Sequence, residues 1–165
     1  MVISRQSGKL QMSLFKKSSP KGEYVIAFMP IKPIYAQKLV AGEKKYEFRK
    51  SAIRSDLTHI IIYASSPVKK IIGLAEVRGV TVASPSAIWT KAKHAAGIER
   101  KAYNQYYHGK TKAYSIEIKK IIPLKKAIAL AELANGFKVP QSFSYVDPQF
   151  YRKVARKGGV LKDDK

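Results

Sequence analysis

Apolar residues along this chain come in short runs cut by Gly and Pro, and the period inside each run changes from one to the next. YVIAFMP, from Tyr24, is continuous and β-branched, the pattern of a buried strand that Pro30 ends. Lys32 or Pro33 then starts a short helix with Tyr35, Ala36 and Leu39 on its inner face and Gly42 as its stop. EKKYEFRK predicts a strand in which Tyr46 and Phe48 alternate with Lys45, Glu47 and Arg49. THIIIYASS reads as a central strand closed by Pro67. KKIIGLAEVRGVTVA is one long strand, or two joined at a kink, with Gly73 and Gly79 marking bulges.

The period then switches. SPSAIWTKAKHAAG carries Ser84 as N-cap, Pro85 in the first turn and Gly97 as stop. IERKAYNQYYHGK predicts a second helix with Tyr103 and Tyr107 at i and i+4, ended by Gly109. TKAYSIEIKKIIP alternates as a strand up to Pro123, and PLKKAIALAELANG predicts a last helix stopped by Asn135-Gly136. The sum is an α+β protein: a small mixed β-barrel of about five strands with helices inserted between them.

The ends are read from composition. Residues 1–22 are polar, basic and broken by Gly8, Pro20 and Gly22, which predicts a flexible basic arm. Residues 23–147 form the domain with a C-terminal extension, and residues 148–165 a basic tail. The stretch ahead of the body is too short for a helix-turn-helix. It lacks a secretory signal, and no apolar run approaches the roughly 20 residues that span a membrane. There is no cysteine, which excludes disulfides, thiolate metal sites and cysteine nucleophiles. These features place the protein in the cytoplasm with no membrane partner.

Charge changes the picture most. Lys and Arg number 32 against 11 acids, a formal net charge of +21. Self-repulsion of this size costs stability unless a polyanion screens it, so nucleic acid is the favoured partner. His59, His94 and His108 lack metal-ligand spacing, no Gly-rich phosphate loop occurs, and neither metal nor cofactor is called for.

The candidate chemistry concentrates in AGEKKYEFRK, Ala41 to Lys50. Glu47 and Arg49 are two apart on a strand and share a face. Lys44 has the opposite parity and joins them only if it lies in the Gly42 turn, before regular pairing begins. If the three converge, Glu47 can accept from an exocyclic amine or orient a water. Arg49 can fork onto a phosphate or brace Glu47, and Lys44 can bind phosphate or act as a base. The plain alternative is an exposed Glu47–Arg49 pair of little value. Lys32, at a helix start, is a further phosphate contact. Tyr63, Ser65 and Ser66 either line the same cleft with hydroxyls or serve strand-end turn chemistry. Lys110 and Tyr114 are placed on its flank. Tyr103, Tyr106 and Tyr107 interleave with cations as a base-stacking surface would, although such spacing more often marks packing.

Gly42-x-Lys44-x-x-Glu47-x-Arg49 resembles the GxKxxExR signature of the ASCH domain, a branch of the PUA-like superfamily. MPIKP, YASSPVKKIIG, the Trp89 helix, YNQYYHGK and KAYSIEI extend the resemblance over roughly Tyr24 to Ile122. The resemblance implies a PUA-like pseudo-barrel whose cleft recognises an unpaired base or nucleoside, with RNA ahead of DNA as the partner. It also implies a rival: a hydrolase acting on RNA or on a modified cytidine, with Lys44 and Glu47 as catalytic groups. The acylcytidine hydrolase branch carries threonine where this chain has Glu47.

Overall fold

The structure is a computed structural model and describes residues 23–162. The arm expected over residues 1–22 lies outside the described residues. The elements, in chain order, are strand β1 (Ile26–Ile31), helix α1 (Pro33–Val40), β2 (Tyr46–Arg49), β3 (His59–Ala64), β4 (Lys70–Ala83), α2 (Pro85–Ala92), α3 (Arg100–Tyr106), β5 (Ala113–Ile128), β6 (Ser144–Val146) and α4 (Pro148–Lys157). A 3₁₀ turn, Lys93–Ala95, follows α2, and another, Leu130–Glu132, follows β5.

One mixed sheet runs in the order β2-β5-β4-β3-β1-β6. β1 pairs with β3 in parallel and every other pairing is antiparallel. The sheet is open, which corrects the expected barrel. Four-residue β2 bonds only to β5 and three-residue β6 only to β1, so no ladder joins the two edges. Even so the sheet is strongly curled. On a flat sheet β2 and β1 would lie four spacings apart, roughly 19 Å, yet the Arg49 guanidinium on β2 donates to Pro30 O on β1 at 2.9 Å.

Alternation along the strands sorts the core into two faces. Ala27, Met29, Ile31, Ile60, Ile62, Ala75 and Ile116 line the inner face with Ala36 and Leu39 of α1. Ile26, Phe28, Ile61, Tyr63, Leu74 and Ile122 line the outer face, covered by Tyr151, Val154 and Ala155 of α4. A third cluster holds α2 and α3 against Tyr46 and Phe48.

Three sequence expectations change here. β5 does not stop at Pro123 but continues to Ile128, because Pro123 falls opposite Gly73, where the register shifts and no ladder donor is required. The helix expected after Pro123 is therefore strand and then a single 3₁₀ turn, with the apolar Leu124 and Ile128 joining the outer core. The segment from Pro148 is no tail: Asp147 caps its first turn by accepting from Phe150 N, and the helix buries Tyr151, Val154 and Ala155. The bulges do fall beside Gly73 and Gly79 in a single long β4.

Candidate functional site

Lys44 reaches the site because the chain turns ahead of β2. Helix α1 is capped by Ala41 and followed by Gly42, whose φ of +78° suits glycine, and the amides of Glu43 and Lys44 both return to Lys38 O at 3.0 Å. Ladder bonding begins only at Lys45, whose carbonyl accepts from Ile118 N. Strand parity therefore does not apply to Lys44. Its stem lies against Gly97, where a Cβ would fall 2.4 Å from Lys44 Cβ. Its ammonium donates to Ala96 O at 2.7 Å, sits 4.5 Å above the Phe48 ring and comes within 3.9 Å of Glu47 Oε2.

Glu47 and Arg49 meet it from β2. Arg49 Nη2 lies 3.1 Å from Glu47 Oε1, so the carboxylate is held between two cations. All three residues are buried, at 3%, 6% and 8% exposure, which removes the solvated-pair alternative. The Arg49 guanidinium is heavily committed: Nη1 donates to Ser142 O at 3.1 Å and Nη2 to Pro30 O. Its geometry is that of a brace for Glu47, and a phosphate fork would require those bonds to break. Tyr107, the C-cap of α3, donates its hydroxyl to Arg49 O at 3.0 Å and tethers β2 to the end of that helix.

A cavity of about 520 Å³ opens beside this trio. Pro30, Ile31 and Lys32 form one side and Ile98, Ala102, Gln105 and Tyr106 the other, with Tyr35 and Phe48 as further aromatic walls. Lys32 is exposed at its rim, and Lys50 stands 4.3 Å over the Tyr106 ring. Burial pushes the Lys44 ammonium down to about 8. Glu47 opposes that shift, and Lys38 and Arg49 add to it. Burial also raises the Tyr106 phenol.

Of the residues singled out in the sequence, Lys32, Lys44, Glu47, Arg49, Tyr103 and Tyr106 line the cavity. Tyr63, Ser65, Ser66, Lys110 and Tyr114 are not among its lining residues. Tyr63 points the other way, into the outer core, with its ring 5.3 Å from Phe28, because strand parity puts it opposite Ile62. Ser65 and Ser66 sit in the turn after β3, Lys110 is exposed after α3, and Tyr114 pairs with Arg49 across the β2–β5 ladder. Of the three tyrosines offered as a stacking surface, Tyr103 and Tyr106 line the cavity and Tyr107 does not, while Tyr35 lines it without having been chosen. In YNQYY the signal was available for Tyr106: Tyr103 and Tyr107 share a buried stripe, and Tyr106 is the tyrosine off it. The Ser142 and Pro30 carbonyls leave no trace in sequence.

The fold and this cavity define a class: an open, curled α+β sheet carrying a buried Lys–Glu–Arg cluster in an aromatic, cation-rimmed pocket. The chain belongs to the ASCH domain family, whose model matches residues 29–125. It is 27% identical over 131 residues to the ASCH domain-containing ribonuclease of Zymomonas mobilis, covering 78% of this chain and 88% of that protein. The crystal structure of ASCH from Zymomonas mobilis superposes with a TM-score of 0.73 at 27% identity, over 79% of this chain and 93% of that one. The chain is also 32% identical over 104 residues to large ribosomal subunit protein uL22 of Ureaplasma parvum, over 63% of this chain. That match spans 33% of the ribosomal protein's length. No helix among the described residues is long and apolar enough to cross a membrane.

Proposed function

We propose that the protein binds RNA and takes an unpaired base or nucleoside into the cavity beside Lys44, Glu47 and Arg49. The observation that carries this reading is one carboxylate fixed between two buried cations on the wall of an aromatic pocket with a cationic rim. Glu47 is held rigid and accepts the amino or imino N–H groups of a base. Tyr35, Phe48 and Tyr106 offer ring faces and edges, and Lys32 and Lys50 meet the flanking phosphates. A base must be unpaired to enter, since A-form helices hide their base edges in a deep, narrow groove. The likeness to a ribonuclease favours RNA over DNA.

Short single-stranded RNA and DNA of the same sequence, titrated by fluorescence anisotropy, test it. RNA binding is expected to be tighter and to weaken at least about tenfold in Glu47→Gln, where a charge-assisted acceptor is lost. Equal binding by that variant removes the pocket from the reading.

The rival is a ribonuclease. Its support is the same relative and the lowered Lys44 ammonium, which supplies a neutral amine as base. pH separates the two. Binding through the Lys44 cation weakens as pH rises through about 8. Cleavage with Lys44 as base instead climbs over that range to a plateau above it. RNA left intact by the parent protein across that range excludes the rival.

A further inference from the structure

Helix α4 concentrates charge on the face of the sheet turned away from the cavity. Between residues 148 and 162 lie five Lys or Arg and no acid. Arg152, Lys153, Arg156 and Lys157 are all exposed, while Tyr151, Val154 and Ala155 on the opposite stripe are buried. β5 extends this surface. Lys120 pairs with Glu76, which falls between the inner-face residues Ala75 and Val77 and therefore faces outward with α4. The Lys125 stem packs beside Gly159, and the Lys125 and Lys126 amides donate to Gly158 O at 2.9 and 3.2 Å, fixing the strand to the end of the helix.

The local energetics of the helix do not by themselves favour four cations on this face. The helix dipole favours Arg156 and Lys157 in the last turn, but its effect fades before Arg152 and Lys153. Arg152–Arg156 and Lys153–Lys157 are like-charge pairs at i,i+4, each of which destabilises an isolated helix. Nor does the face suit a membrane: an interfacial helix buries its apolar stripe in lipid, and here the core already occupies that stripe. A linear array of exposed cations on a rigid helix, with lysines of a neighbouring strand beside it, suits a phosphate backbone.

We propose that α4 and the adjoining part of β5 form a second RNA-binding surface that takes the phosphate backbone of a duplex, independently of the cavity. An RNA with a stem and an unpaired segment then engages both faces, and the two sites reinforce each other through effective concentration.

The test measures binding of a blunt RNA duplex and of a short single strand across a salt series. The full chain is compared with Arg152→Gln/Arg156→Gln/Lys157→Gln, which spares Lys153 because it bonds Leu133 O. Duplex affinity is expected to fall at least about tenfold. The slope of log affinity on log salt should flatten by roughly 2 to 3, near 0.9 for each phosphate no longer neutralised. Single-strand binding should stay within about twofold. Thermal melts check the fold, and Lys120→Gln/Lys125→Gln on the strand gives the same readout if the helix variant is unstable. Unchanged duplex binding overturns the proposal, as does a parallel loss on both probes or a parent protein that ignores duplex. A parent that binds duplex but not the single strand sinks the pocket reading and leaves this one standing.

Discussion

Lys44 carries its charge at a cost to the fold. Keeping its buried ammonium charged at pH 7 costs roughly 3 kcal/mol, given a shift down to about 8 from 10.5. Lys44→Met removes that cost and also loses the bond to Ala96 O, worth about 1 kcal/mol. The variant is therefore expected to be more stable than the parent by about 1–2 kcal/mol in urea melts at pH 7, and to bind RNA poorly. The sign follows from linkage: the unfolded chain holds the Lys44 proton where the folded one has released it. The parent thus gains stability between about pH 8 and 10.5, and the variant's advantage shrinks over that window. Arg49 behaves oppositely. Arg49→Met leaves Glu47 with the more distant Lys44 alone and the Ser142 and Pro30 carbonyls without their donor, so a loss of about 3–5 kcal/mol is expected. A variant as stable as the parent contradicts the brace. Gly97→Ala forces φ +65° on a residue with a Cβ and drives that atom into Lys44. A destabilisation of at least about 1–2 kcal/mol is expected, with weaker RNA binding because Lys44 is displaced.

Among the elements, α4 departs most from its sequence reading, and the reason is legible in its composition. Counted by charge, PQFYRKVARK is a tail; counted by period, Tyr151, Val154 and Ala155 make a narrow apolar stripe. Only an outer sheet face needing cover turns that stripe into a docked helix. Removal of residues 148–165 should thus expose Phe28, Ile61 and Leu74 and abolish the cooperative melt, where loss of a true tail would leave it intact. β5 makes the same point. Its second half has the residues of a helix, but Pro123 and Ile128 fall opposite Gly73 and Ile71 of β4 and the Lys125 and Lys126 amides bond Gly158 O, so long-range contacts override local preference.

At the scale of the molecule, curl without closure creates the cavity. Both ends of the sheet stay open, yet the bend brings β2 within an arginine's reach of β1, and α1 and α3 wall the gap. The formal net charge is +21, and among the described residues exposed cations stand on both faces, Lys32 and Lys50 beside the cavity and Arg152, Arg156 and Lys157 on α4. With six to ten phosphates engaged, RNA affinity is expected to fall roughly 10³ to 10⁵-fold between 50 and 200 mM salt. Salt-insensitive binding by filter or anisotropy assay would argue against a polyanion partner.

Local order was written in the chain. Period and punctuation placed β1, α1, β2, β3, β4, α2 and α3, because each rests on neighbours a few residues apart. Gly42 and the spacing of Lys44, Glu47 and Arg49 marked the residues that meet in the buried cluster. What the fold alone decided is orientation over distance. Convergence of the trio needs Gly97, Ser142 and Pro30 from three other segments, and the inward or outward aim of Tyr63, Tyr106 and α4 depends on which face has room. Those choices are energies of packing between remote segments, and no window of sequence contains both partners.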